Sequence, residues 1–112
     1  MYLSREAVQR TLESIVKLAP GTIFVMSFLL PLDMADAEVR PGLEASARGA
    51  KASGTPFISF FRPNEILELA KEAGFKKAQH ISANDLAAKY FSGRSDGLRP
   101  PANAEELLVA TT

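Results

Sequence analysis

The sequence predicts a small α/β fold in which a mixed sheet of about three strands is flanked by helices. Segments with a helical spacing of apolar residues alternate along the chain with short runs rich in β-branched and aromatic residues. Such alternation is typical of layered α/β proteins. Glycine or proline lies at most of the boundaries between the two kinds of segment. The chain has 112 residues, which favours a single domain over residues 1–112.

Composition limits the function classes. Thirteen Lys and Arg residues balance thirteen Asp and Glu residues, so no basic surface for nucleic acid is expected. The chain has no cysteine and one histidine, which argues against disulfides, thiol catalysis and a multi-histidine metal site. No apolar run reaches the roughly 18 residues that cross a bilayer, and no secretory signal is apparent. We therefore expect a cytoplasmic protein with no metal, nucleic acid or membrane partner.

The first helix is predicted over Arg5–Leu18. Ser4 is a favourable N-cap residue because its hydroxyl can accept a backbone N–H of the first turn. One apolar stripe with i, i+4, i+7 and i+8 spacing follows, formed by Val8, Leu12, Ile15 and Val16. Pro20-Gly21 ends the helical pattern.

The next segment, Thr22–Leu30, is almost continuously apolar and predicts a strand that is buried on both faces. A buried helix is the alternative, but a short segment between Gly21 and Pro31 favours a strand. A strand of this kind needs a covering layer on each side. A chain of this length has trouble supplying two full layers alone.

Two further helices are predicted in the middle of the chain. One spans Pro41–Ala52, with Gly54 after its end. The other begins at Pro63, which suits the first helical position, and ends before Gly74. Between the two helices, Phe57–Phe61 predicts either a short strand or an aromatic loop packed into a cleft.

The last third of the chain predicts strand, helix, loop and strand. Phe75–Ile81 is the strand, and Ser82 with Asp85 has the spacing of a capping box for a helix that runs to Phe91. Glycines and prolines make 93–103 a loop. The apolar segment Leu107–Thr111 predicts the last strand.

Five segments spread over nearly the whole chain carry a family resemblance. They are Met1–Val8, Pro20-Gly21-Thr22 before the apolar strand, Phe60–Ile66 (FFRPNEI), Ala73-Gly74-Phe75, and Tyr90–Arg99 (YFSGRSDGLR). In this order they resemble the leucine carboxyl methyltransferase-like branch of the class I S-adenosylmethionine-dependent methyltransferases. A single short segment such as Ala73-Gly74-Phe75 occurs in many folds, and the match depends on the five segments occurring in this order.

The resemblance covers only the C-terminal half of such an enzyme, from just after the family's fourth strand. It implies part of a Rossmann-like methyltransferase fold, with Thr22–Leu30 at one edge of the sheet and Phe75–Ile81 at the other. Leu107–Thr111 would run antiparallel between them. The family's Gly-rich loop and its ribose-binding acid precede the position that matches Met1. We therefore expect that this chain alone does not bind S-adenosylmethionine.

The resemblance also implies site residues on the acceptor side. Tyr2 matches a position near the cofactor, although a frayed terminal residue is the alternative. Phe57, Phe60 and Phe61 would line an acceptor pocket or else belong to the ordinary core. Arg62 would hold a carboxylate acceptor in a bidentate pair or else be a plain exposed arginine.

Two other polar positions have weaker expectations. Arg94, with Asp96 and Arg99, would order a loop over the substrate cleft, and a solvated turn is the alternative. His80 is expected to be a strand histidine bonded to the backbone rather than a catalytic base. No catalytic residue is predicted.

The first function hypothesis is therefore the acceptor-side half of an O-methyltransferase that acts on a carboxylate, inactive as an isolated chain. The alternative is a structural, self-associating α/β module from a truncated or split gene, without catalysis. Expected partners are an N-terminal half or a second copy that forms a dimer. An unrelated small binding domain is the remaining possibility.

Overall fold

The computed structural model describes all residues 1–112 and contains four helices and a three-stranded sheet. The helices are α1 (Arg5–Ile15), α2 (Arg40–Ala52), α3 (Pro63–Ala73) and α4 (Ala83–Leu86), and α4 continues into a π-helical turn, Ala87–Phe91. The strands are β1 (Ile23–Leu29), β2 (Lys77–Ile81) and β3 (Glu105–Thr111). The α/β class and the number of strands are thus as predicted.

Local capping signals fix three of the helix starts. The Ser4 hydroxyl accepts the Ala7 N–H at 3.2 Å at the start of α1. Ser82 and Asp85 form the expected capping box of α4. Pro63 opens α3. Because these signals involve only neighbouring residues, they can be found in the sequence without any knowledge of the fold.

Several element boundaries differ from the prediction. Helix α1 ends at Ile15 rather than Leu18, because Lys17 and Leu18 donate their N–H groups to carbonyls three residues back and tighten the last turn. The segment Phe57–Phe61 is an extended loop, one of the two predicted alternatives. Phe75 precedes β2 and packs in the core instead of belonging to the strand.

The strand order is β1-β3-β2, with β3 antiparallel to both neighbours. The two outer strands and the central position of the last strand match the predicted order. The sheet is not mixed, however. Because β3 is antiparallel to both outer strands, and these do not pair with each other, the sheet contains no parallel pairing.

Helices α1 and α3 cover one face of the sheet and form the core with it. The core consists of Val8, Leu12, Phe28, Leu30, Phe61, Ile66, Leu69, Ala70, Phe75, Leu108 and Ala110. Leu12, Ile66 and Leu108 have no measurable exposure. The other face, called here the open face, presents alternate residues of each strand, among them Val25, Val109 and Gln79.

The prediction that the first strand is buried on both faces is wrong for this chain. On the open face Ile23 is 68% exposed and Val25 is 52% exposed, while Phe28 on the opposite face is buried. The physical reason is that α1 and α3 lie on the same side. Helix α2 lies over one end of the open face but buries none of its residues.

The outer edge of β1 is also unpaired over most of its length. The Leu30 N–H donates to the Ala104 carbonyl, and the backbone groups of successive residues point to opposite edges. Those of Ile23, Val25 and Ser27 therefore face away from β3. No charge and no proline lies within the strand, so nothing in its sequence hinders another strand from pairing there.

No helix in the structure has both the length and the apolar character that a membrane crossing requires.

Truncating side chains on the two faces of β3 tests whether the core lies on one face only. We expect Leu108→Ala to lower the free energy of unfolding by about 2–5 kcal/mol, because a large buried side chain is removed from the core. The adjacent Val109→Ala, on the open face, should cost about 1 kcal/mol or less. Urea unfolding of both variants provides the measurement. Equal losses would contradict a core confined to one face.

Candidate functional site

The structure brings Tyr2 and Phe57 together. Their rings meet edge to face with centroids 5.4 Å apart. The Met1 carbonyl accepts the N–H groups of Ile58 at 2.9 Å and Ser59 at 3.2 Å. The segment before α1 therefore lies beside the loop before α3. Tyr2 is held in this contact rather than frayed, although 56% of its surface is exposed.

A shallow cavity of about 380 Å³ opens next to this contact. Tyr2 and Ile58 form its apolar walls, and Gly54, Thr55 and Pro56 complete it. No ionisable group other than the Tyr2 phenol lines it. The cavity is therefore suited to an apolar or weakly polar group.

The phenylalanines of the aromatic loop separate into two kinds. Phe60 is 39% exposed and Phe57 is half-buried, so both remain available to a ligand. Phe61 is 2% exposed and belongs to the core, with the Arg5 guanidinium 5.1 Å from its ring centroid. For Phe61 the core alternative is the one observed.

Arg62 is already paired. Its Nη2 lies 2.6 Å from Oδ2 of Asp33, and this hydrogen bond lowers the pKa of the Asp33 carboxyl. Both side chains are largely exposed, so the pair contributes little to stability. A carboxylate ligand of Arg62 would have to exchange with Asp33, which lies on the loop after β1.

Arg94 lies in a different part of the surface. It is bonded to Asp96, whose Oδ1 also accepts the Leu98 N–H at 3.1 Å. This bonding lowers the pKa of Asp96 and raises that of Arg94. Arg94 and Arg99 line a cavity of about 210 Å³ beside the π-helical turn, which shares no residue with the Tyr2 cavity. The loop forms an ordered local turn, and Arg94 has no contact with the other site residues.

The sequence did not reveal a pair of polar side chains that bridges β2 and β3. Nε2 of His80 and Oε2 of Glu106 form a hydrogen bond, with Phe28 beside the imidazole at 6.0 Å between ring centroids. The Glu106 side chain is 4% exposed and that of His80 is 24% exposed. The expectation of a backbone partner for His80 is therefore wrong.

The pair was missed because the last strand was predicted to start at Leu107. In the structure β3 starts at Glu105, and Glu106 is in phase with Leu108 and Ala110 on the covered face. Glutamates are rarely buried, so this residue had no local signal. Only the pairing of β2 with β3 could have placed it within reach of His80, whose direct partner in the register is Leu108.

The Tyr2 cavity lacks the polar lining that S-adenosylmethionine requires. The cavity at Tyr2 holds no acidic side chain for ribose hydroxyls or for a sulfonium. No glycine-rich turn leads from a strand into the first turn of a helix. The structure also brings together no group of three or more His, Asp or Glu side chains that could hold a metal ion.

The His80–Glu106 pair gives the second prediction. His80→Ala should lower the free energy of unfolding by about 1–3 kcal/mol, because it leaves a buried carboxylate without its partner. In a Glu106→Gln background the same change should cost less, which a double-mutant cycle measures. Gln79→Ala, on the open face of the same strand, is the control and should change stability by about 0.5 kcal/mol or less. Additive effects of the two changes would show that the pair is not coupled.

No protein-family model, curated protein or solved structure matches this chain. The similarity to the leucine carboxyl methyltransferase-like family therefore depends on the five quoted segments.

Proposed function

We propose that this chain is the acceptor-side half of an S-adenosylmethionine-dependent O-methyltransferase and that it has no activity by itself. The observation that carries the proposal is the strand order, in which β3 runs antiparallel between β1 and β2. The family resemblance implied this order from sequence segments that do not themselves determine strand pairing. This agreement supports the proposal.

The unpaired edge and the exposed apolar side chains of β1 could be covered by a further strand. Its outer edge is unpaired, and Ile23 and Val25 on its open face are more than half exposed. Another strand along this edge, with its covering helices, would satisfy the backbone groups and remove both side chains from water. An additional polypeptide could do both at once.

The position of Met1 is compatible with that arrangement. The Phe61 N–H donates to the Leu29 carbonyl at the carboxyl end of β1, and Ile58 and Ser59 donate to the Met1 carbonyl. Met1 therefore lies close to the end of the open edge. A polypeptide that occupies the edge of β1 could continue into α1 over a short distance.

On the acceptor side, the exposed faces of Phe57 and Phe60 would provide apolar walls, and Arg62 would provide the charge for a carboxylate. Arg62 would release Asp33 to do so, since both side chains are accessible to solvent. Positioning an acceptor between such walls is the main contribution a protein makes to this class of reaction.

The third prediction concerns cofactor binding. Calorimetric titration of the chain alone with S-adenosylmethionine should show no saturable binding, because the groups that hold the cofactor are not present. Mixing with the N-terminal half of a complete family member, taken through its fourth strand, should restore binding. Val25→Lys should prevent this by placing a charge in the new contact. A micromolar dissociation constant for the chain alone would overturn the proposal.

Self-association is a second candidate function, and the unpaired edge of β1 favours it. Two copies could pair these edges about a two-fold axis, which is the commonest symmetry of closed assemblies. The edge of β2 is less suited to this contact, because β2 is shorter and carries Lys77.

Light scattering at micromolar concentration tests this fourth prediction, with an expected mass above the 12.1 kDa of one chain. Val25→Lys should shift the population towards monomer without loss of helix content, because Val25 faces solvent in the single chain. Gln79→Lys places the same charge on the far strand of the same face and should leave association unchanged. A monomer for the unmodified chain would contradict self-association.

A further inference from the structure

A cavity of about 720 Å³ lies over the open face of the sheet, at the end of the sheet where β1 finishes and β3 begins. Leu29 and Leu107 of the sheet, Leu43 of α2, Leu86 of α4 and Pro100-Pro101 of the loop before β3 provide its apolar walls. Small-molecule sites typically measure about 300–1,000 Å³ and have mostly apolar walls with a few polar groups. The cavity has the size and character of such a site.

One side of α2, together with its N-cap residue Val39, lines this cavity. Val39, Gly42, Leu43 and Ser46 have i, i+3, i+4 and i+7 spacing, and all four line the cavity. No residue of α2 is buried, although a helix of this kind is normally stabilised by burying its apolar face. An occupant of the cavity would therefore supply the contacts that the sheet does not make with α2.

One end of the cavity is fixed by hydrogen bonds. The Asp36 N–H donates to the Asn103 carbonyl at 2.9 Å, and Asp36 Oδ2 accepts the Asn103 N–H at 3.0 Å and its Nδ2 at 3.2 Å. Glu38 and Glu105 each follow this link by two residues. The link therefore holds the two glutamates at the same end of the cavity.

The charge at that end has one sign. Glu38 and Glu105 are the only charged residues among those that line the cavity, and neither forms an ion pair. The nearby Arg40 donates instead to the carbonyls of Ala35 at 2.8 Å and Asp33 at 3.3 Å. Because the net charge of the whole chain is zero, this local excess of negative charge does not reflect composition. A cleft with carboxylates and low-dielectric walls attracts cations.

We propose that this cavity binds an organic amine, a small molecule with an apolar body and a protonated ammonium group. The apolar body lies between Leu43 of α2 and Leu107 of the sheet. The ammonium group lies at the end that carries Glu38 and Glu105. This site shares no residue with the Tyr2 cavity and does not depend on methyltransferase function.

Three probes of equal size and different charge test the proposal: phenylbutylamine, phenylbutanol and phenylbutyrate. Binding is followed by NMR through the methyl groups of Leu43 and Leu107. The amine should bind about tenfold more tightly than the alcohol, and the acid should bind most weakly. Absence of binding, equal affinities for the amine and the alcohol, or shifts confined to other residues would overturn the proposal.

Matched variants test the role of the two carboxylates. Glu38→Gln combined with Glu105→Gln keeps the shape of the side chains and should abolish the preference for amine over alcohol, while the alcohol still binds. Glu44 lies on α2 outside the cavity. The control variant Glu44→Gln should therefore keep the preference for the amine over the alcohol. Retention of the preference in the double variant would refute the site, and the backbone NMR spectrum verifies that each variant is folded.

Discussion

The rest of the structure depends on the double pairing of β3. The strands β1 and β2 do not touch each other, so β3 supplies all the hydrogen bonds that hold the sheet together. Its covered face gives Leu108 and Ala110 to the core. Beyond the strand, Thr112 accepts the Thr22 N–H on Oγ1 and donates its hydroxyl to the Ala19 carbonyl at 2.7 Å. The last residue of the chain therefore also fixes the turn between α1 and β1.

The two faces of the sheet differ in how far they are covered by the rest of the chain. One face is dry and packed by α1 and α3, and it tolerates a buried glutamate because His80 satisfies that carboxylate. The other face carries the exposed apolar side chains of β1 and the cavity beside α2. The unpaired edge of β1 borders this face. The composition of β1 is that of a strand between two layers, while the chain provides one full layer. This mismatch underlies both the proposed partner on the edge and the proposed ligand in the cavity.

The prediction from sequence was most successful where the determining contacts are local. Ser4, Pro63 and Ser82 mark helix starts through neighbours within one turn. The strand order came from the family resemblance, because no local pattern states which strands pair. The contact of Tyr2 with Phe57 joins segments far apart in the chain. It follows from the path of the backbone and could not be read from either segment alone.

The same limit explains what was missed. The composition of β1 predicts burial on both faces. Composition shows which environments a strand tolerates, but it does not show which covering layers the rest of the chain provides. Glu106 lies in a position that alternation would assign to the core, yet a carboxylate there looks unfavourable until its partner on β2 is known. Long-range pairing decides both cases.

The position of β3 in the chain also has a consequence for biosynthesis. Thr22 and Thr112 are joined although they are 90 residues apart, and both outer strands are synthesised before the strand that joins them. Until β3 leaves the ribosome, β1 lacks the strand with which it pairs, and its apolar residues are exposed in the nascent chain. Long-range pairing of this kind is slow to form and exposed to aggregation. The sheet is therefore assembled only after β3 has been synthesised, and chaperones that shield apolar strands would act on β1 during that interval.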